Sequence, residues 1–348
     1  MRFPHFKSSR KQFLIAFSFF MMLVGILLGT FLAERKTQPS EAELQKEQEI
    51  DTVTSHFKTS LEIYIQTLYG ARGLMTASEN VTLEEWQIFY QNIGVARRLP
   101  GLAAIGYIQH VPLSDRDSFE ARRRTEDNSL VTKPFEIRPN VIKSYYNVLT
   151  YVAPLDTEAL KSTLGFDYDS EVIRKTALEK ARDLNQATVA GPIQTLGTKL
   201  PGFLIVLPVY NKNLPSTTTA DRLNAYQGAI MVAFRNQELF NQAFSELDLS
   251  TISVKIYDGE DLTTGHLMYD SANGDQILGL NSDSKTNTRR TLRQIQVADR
   301  TWTLEYHYVL PVSTGPVFPS IFTRIAFLAL TNFVSVMVVY YLMLIKKA

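Results

Sequence analysis

The chain has 348 residues, 45% of them hydrophobic and 20% charged, with a formal charge of +1. Such a balance lacks the basic footprint of a nucleic-acid binder, and the absence of cysteine excludes disulfides, Cys-ligated zinc and a thiol nucleophile. A domain of this size can bury enough core to do without disulfides outside the cytoplasm.

The first predicted element is an uncharged run from Leu14 to Ala33, long enough at about 20 residues to cross a bilayer core of roughly 30 Å. A cleaved signal peptide is the weaker alternative. The run is too long for a signal core, and Phe31 would stand where a small residue is wanted. A second apolar run spans Ile325 to Ile345, with Tyr340 and Tyr341 near its end. Arg2, Lys7, Arg10 and Lys11 precede the first run, and Lys346 and Lys347 follow the second. Lys and Arg are enriched on cytoplasmic flanks, so both termini are expected in the cytoplasm. This predicts a two-pass protein of the plasma membrane, in a bacterium the inner membrane, with the region between the spans periplasmic.

From Glu41 a polar, proline-free segment carries Val53, Phe57, Leu61, Tyr64, Leu68, Ala71 and Met75 at steps of three and four. That spacing is one stripe of a helix, which could reach roughly 50 Å. The stripe pairs two copies as a short parallel coiled coil, covers the chain's own sheet, or does each along a different length. Strands are predicted at Ala103–Val111, Val148–Ala153, Phe203–Val209 and Gly228–Phe234, and an amphipathic helix at Ser170–Leu184 with Asp169 or Ser170 as its cap. Val172, Ile173, Ala177, Leu178 and Ala181 are expected on its buried side. A helix at Asn236–Leu247 leads to a second strand set at Ile252–Tyr257, His266–Tyr269, Arg290–Val297 and Trp302–Tyr308. Loops rich in Ser, Thr, Asn and Pro are expected at Asn211–Arg222 and Asn273–Thr288. Arg122, Arg123 and Arg124 are expected on a solvated basic face.

The fold class is therefore α+β. Residues 1–13 form a cytoplasmic start, 14–33 a transmembrane helix and 34–75 a stalk helix. Residues 76–247 form a larger unit, 248–320 a smaller one, 321–345 a second transmembrane helix and 346–348 a cytoplasmic tail.

The phrases GARGLMTASENVTLEEWQIFYQNI, LPGLAAIGYIQHVP, YYNVLTYVAPL, LGFDYDS, ATVAGPIQTL, PGFLIVLPVYNKNLP and ISVKIYD occur here in that order. The ordered set resembles the CHASE domain, the extracytoplasmic sensor module that includes plant cytokinin receptors. The resemblance covers about Leu74 to Asp258. It implies a long helix and two tandem PAS-like units, the membrane-distal one holding a small molecule. It also implies that Asp167 is a carboxylate anchor for a ligand's heteroaromatic ring, and that the Val189 backbone lines the pocket. Thr195, Leu196 and Thr198 follow on the next stretch, and Phe203, Ile205 and Gly228 fall on strands expected to wall the site. The alternative for Asp167 and Asp169 is helix capping. His110 departs from the family pattern, where many relatives carry Arg.

The sequence holds no phosphate loop, no G-x-S-x-G elbow and no H-E-x-x-H pair. Its five His residues, at 5, 56, 110, 266 and 307, lack metal-ligand spacing, so no catalytic residue, metal or cofactor is expected. The function expected is a non-enzymatic membrane receptor. It would bind a small, partly aromatic ligand outside and act through its second transmembrane helix on a cytoplasmic or membrane partner, as a stalk homodimer. Two alternatives remain open: a structural or regulatory membrane subunit, and the sensor half of a histidine kinase or nucleotide cyclase.

Overall fold

The computed structural model describes residues 41–94, 101–126, 134–272, 287–310 and 327–334, with Ser18, Met21, Met22 and Gly25. The expected spans 14–33 and 321–345 lie mostly outside the described residues. Among the described residues no helix is long and apolar enough to cross a membrane. The chain divides into two compact units, one of residues 46–310 and one of residues 1–45 with 311–348. Both sheets belong to the unit of residues 46–310.

Helix α1, Glu41–Ala77, is uninterrupted because no proline breaks it and its apolar stripe has somewhere to go. Ile50, Val53, Phe57, Leu61, Tyr64, Leu68 and Ala71 are all buried. Their partners are in the same chain: Phe57 meets Phe240 at 5.7 Å and Phe244 at 5.4 Å, and Tyr64 meets Phe234 edge-on at 4.9 Å. Covering the chain's own sheets is thus a use that the stripe has in the molecule.

The first sheet is antiparallel with order β2-β1-β5-β4-β3: β1 Leu102–Pro112, β2 Tyr145–Ala153, β3 Thr188–Gln194, β4 Pro201–Tyr210 and β5 Tyr226–Arg235. Side chains alternate between its faces along each strand. Leu204 and Val206 of β4, with Ala229 and Met231 of β5, join a core cluster with Ala177, Leu178 and Ala181. Those three belong to helix α5, Val172–Leu184. The intervening Phe203 and Phe234 stack on each other at 4.7 Å on the α1 face.

The second sheet has order β7-β6-β9-β8, with β6 Ile252–Asp258, β7 Leu267–Asp270, β8 Asn287–Val297 and β9 Arg300–Leu310. Its β9 binds α1 by a hydrogen bond between Thr54 Oγ1 and the Tyr306 hydroxyl (2.9 Å), and by one from the Tyr308 hydroxyl to Glu47 (2.7 Å). Arg293 of β8 pairs with Glu47 and Asp51. Between the sheets runs the short helix α7, Asn236–Ala243. It ends four residues earlier than the sequence suggests.

Four further helices lie among the described residues of the unit. Helix α2, Leu83–Asn92, starts on a capping box in which Thr82 and Glu85 exchange hydrogen bonds. Helix α3 is Arg116–Glu126, α4 is Glu158–Lys161, and α6, Thr219–Ala225, begins inside the segment expected to be loop. Two burial expectations are corrected. Arg123 is 2% exposed rather than solvated, because its guanidinium lies over the Tyr151 ring at 4.8 Å and pairs with Glu126. In α5, Val172 is 80% exposed and Ile173 is exposed, whereas Arg174 is buried. The buried stripe is Arg174, Ala177, Leu178 and Ala181, rotated from the apolar reading because Arg174 finds internal partners.

Candidate functional site

A cavity of ≈ 30 Å³ lies on the α5 face of the first sheet, between β1, β2, β4 and β5 and the turn that follows β3. That turn supplies Thr195, Leu196 and Thr198 to its lining. The turn is closed by its own hydrogen bonds: the Thr195 and Thr198 hydroxyls bond at 2.8 Å, and Thr195 N donates to Leu200 O at 2.8 Å. Opposite stand Tyr168 and Arg174. The Arg174 guanidinium donates to Glu171 at 2.6 Å and to Gln194 O at 2.7 Å, and lies over the Tyr168 ring at 5.2 Å. Burial raises the Tyr168 hydroxyl to about 12, so it stays protonated and able to donate. Arg235 also lines the cavity, and its Nε is buried without a hydrogen-bond partner. The cavity thus sets apolar walls, from Leu149, Val152, Leu204 and Met231, around two guanidinium groups. Apolar walls with a few convergent polar groups are the ordinary chemistry of a small-molecule site, here one with donors for an acceptor or anionic group.

Asp167 is fully buried beside this cavity's Tyr168. Its carboxylate is already engaged: Oδ2 holds Lys143 Nζ at 2.5 Å, and Oδ1 accepts from Asn147 N at 3.0 Å and from Asp169 N at 3.1 Å. It caps the 3-10 turn Tyr168–Ser170 and pins that turn to β2. Asp169 caps nothing. Both its oxygens accept from Asn147 Nδ2 at 2.9 Å, and burial, with Asp167 nearby, raises its carboxyl above the usual range. The N-cap of α5 is Glu171, which makes no side-chain cap bond.

The remaining predicted residues do not meet at this cavity. Phe203 lies on the α1 face, stacked on Phe234 and edge-on to Trp302 at 4.9 Å. Ile205, two residues on, shares that face by strand alternation. Both lie away from the cavity because the predicted strand was placed without its facing pattern; Leu204 is the residue that reaches it. Gly228 has a backbone reason. Its φ is +145°, and a Cβ there would come within 2.0 Å of Ile108 O, so glycine is required where β5 crosses closest to β1. Val189 gives its backbone N–H to Asp299 Oδ1 at 2.7 Å, a contact with the second sheet's hairpin. Among the described residues no group of three or more His, Asp or Glu is gathered to hold a metal ion.

The reading of the sequence missed Arg174, Tyr168 and Arg235 as lining residues. Only the i, i+3, i+4 placement of Arg174 with Ala177, Leu178 and Ala181 could have pointed to it. The CHASE domain family model matches residues 79–269, more than half of the chain. The chain belongs to the CHASE domain family. CHASE domains are extracellular sensor domains of receptors. No curated protein matches the chain.

Among solved structures this CHASE protein is similar to an extracellular ligand binding receptor from Desulfohalobium retbaense DSM5692, at 9% identity and a TM-score of 0.42, covering 76% of this chain and 39% of that one. It therefore spans well under half of that receptor's length. It is also similar to the extracellular domain of the putative histidine kinase rpHK1S-Z16, at 13% identity and TM-score 0.43, covering 77% and 95% of the two chains. A third is the ligand binding domain of the Pseudomonas aeruginosa PAO1 amino acid chemoreceptor PctB in complex with L-Arg, at 10% identity and TM-score 0.44, covering 79% and 98%.

Proposed function

We propose that this CHASE protein is the sensor of a membrane receptor, and that a small molecule binds its first, membrane-distal PAS-like unit at the cavity beside Thr195, Leu196 and Thr198. The observation that carries the reading is the pair of guanidinium groups, Arg174 and Arg235, at an apolar cavity inside a CHASE domain. At ≈ 30 Å³ the space holds about two waters, so a ligand enters by displacing the Thr195–Leu200 turn. Asp167 keeps a role in altered form: a ligand donor reaches its carboxylate only by replacing Lys143, which is partly exposed.

The route outward starts at the adjoining strand. Strand β3 touches the second sheet's hairpin through Val189 N to Asp299 and through Arg300 to Gly191 O at 3.0 Å. Asp299 also pairs with Lys180 of α5 at 2.6 Å, and Arg300 with Asp258 of β6. Movement of the turn after β3 therefore pulls on the proximal unit directly, and a ligand shifts the receptor by as much as it prefers one state. Pairing of two copies along the stalk is left with the outward side of α1, where Ile63 and Tyr69 are exposed. The partner on the other side of the membrane completes this reading.

The test is retention of small molecules by the full chain, measured by mass spectrometry after purification, in wild type and in Leu196→Trp. The larger ring fills the cavity. Wild type should carry a ligand that the variant has lost while keeping its melting temperature. Equal retention by a folded variant would move the site elsewhere.

A further inference from the structure

A second and far larger space lies at one end of the same sheet. It is a cleft of ≈ 600 Å³ between the end of α1, the 78–81 segment and the ends of β1, β4 and β5. Ligand clefts commonly have volumes of about 300–1,000 Å³. Its chemistry differs from that of the cavity beside Thr195.

The floor contains Tyr226, 8% exposed, whose hydroxyl is buried with no hydrogen-bond partner. Buried hydroxyls nearly always have a partner, so an orphan at the floor of a cleft marks a place where one is expected from outside. Beside it, at 5.5 Å between ring centres, stands His110. Its neighbours fix its tautomer. Asn147 gives its amide N–H groups to the Asp169 carboxylate, so its Oδ1 is the atom that faces His110 Nδ1 at 3.2 Å. Nδ1 must then carry the proton, and in the neutral ring Nε2 is a bare acceptor. Burial favours that neutral ring. The Tyr107 hydroxyl has spent its proton on Gln227 O at 3.0 Å, so toward a ligand it too can only accept. The lining includes Gln109, Gln227 and Asn213 with four tyrosine rings, and among the described residues that line it the charged ones, Glu79 and Lys212, are of opposite sign.

We propose that this cleft binds a neutral, hydroxyl-rich ring molecule, a sugar or cyclic polyol. Acceptors at His110 Nε2 and the Tyr107 oxygen call for ligand O–H donors. Tyr226 can give or take one hydrogen bond, the amides serve either sense, and the tyrosine rings offer flat apolar faces to the C–H side of a sugar. The balanced charge gives an ion no advantage. This site does not depend on the cavity at Thr195, with which it shares no lining residue.

The probes are maltose, trehalose and myo-inositol, titrated calorimetrically into the full chain. At least one should give saturable binding. Tyr226→Phe should weaken that binding about tenfold, the loss of one hydrogen bond, and should leave the melting temperature unchanged or raised, because it deletes an orphan hydroxyl. His110→Phe should weaken the same probe. No saturable binding by any of the three overturns the proposal, as does binding indifferent to Tyr226→Phe. A Tyr226→Phe protein that melts clearly lower would show that the hydroxyl has a partner and remove the premise. None of these outcomes touches the retention test on Leu196→Trp.

Discussion

The two sheets are built from similar strands but put to different uses. The first, five-stranded sheet leaves space in two places: the cavity beside Thr195 and the cleft at Tyr226. The second, four-stranded sheet gives its buried β9 side chains to contact. Trp302, Leu304, Tyr306 and Tyr308 are all buried, and Tyr306 and Tyr308 hydrogen-bond α1. Space for a ligand requires elements that can part, such as the turn after β3. Passing on a change requires elements that cannot. The same long helix serves both, because its single stripe runs from Ile50 against the second sheet's end to Ala71 under the first. The junction is a cluster of rings, with Phe57, Phe203 and Phe240 all meeting Trp302.

The largest expected effect breaks that junction. Phe57 is 1% exposed, and Phe57→Ala should cost about 3–5 kcal/mol. Loss of the ring removes contacts to α7 and to β9 together, so denaturant unfolding followed by far-UV signal and by tryptophan fluorescence should shift as one transition. A variant in which the first sheet stays folded while the second melts would mean that the two units fold separately.

A smaller effect distinguishes a structural carboxylate from a ligand anchor. In Asp167→Asn the charge that holds Lys143 is lost and one oxygen becomes an amide. Oδ1 can still accept from the backbone N–H groups of Asn147 and Asp169, but an amide in place of Oδ2 sets N–H donors against the Lys143 ammonium. The expected cost is about 1–3 kcal/mol of stability. Seen from the sequence, the same change should have touched affinity and spared stability. A melting temperature unchanged in Asp167→Asn would return the residue to that role.

Much of the architecture was legible in the chain. The order of strands, the helix from Glu41 and the CHASE resemblance rest on period and on ordered phrases, which survive folding unchanged. The facing of residues was less so. Apolar type placed Val172 and Ile173 inside and charge placed Arg123 outside, yet a guanidinium with a carboxylate partner and an aromatic face can be buried, as Arg123 and Arg174 are, and the helix turns accordingly. Thr195, Leu196 and Thr198 reached the cavity because a turn keeps neighbours together. Phe203 and Ile205 missed it because in a strand a one-residue offset changes the face. Helix α2 had its signal in Thr82-Leu-Glu-Glu85, a capping box. The segment opening α6 shows the same logic in Thr218 and Asp221. No local rule reveals the orphan hydroxyl of Tyr226, since only tertiary packing strips it of partners.

The smallest effect is a pH dependence that belongs to the first sheet alone. His110 is faced by Asn147, by the Asp169 carboxylate, by the Arg182 guanidinium and by the rings of Tyr145 and Tyr226. Burial is the largest influence and lowers its pKa below the ordinary 6.5, with Arg182 acting in the same sense and Asn147 and Asp169 opposing. The unfolded chain therefore takes up this proton at a higher pH than the folded one. Stability from the neutral ring is fully present above about 6.5 and is lost as pH falls through and below that value. Asp169 works the other way at lower pH. Burial, the largest cause, raises its carboxyl above 3.8, so the folded state protonates first and acid in that range relieves a cost. Melting temperatures of wild type and His110→Gln, measured from pH 8 to pH 5, separate the two, because only the histidine acts near 6.5. The wild type should fall more steeply than the variant below about pH 6.5. Parallel curves would mean that the ring is not held neutral by its surroundings, and the acceptor assigned to its Nε2 would go with it.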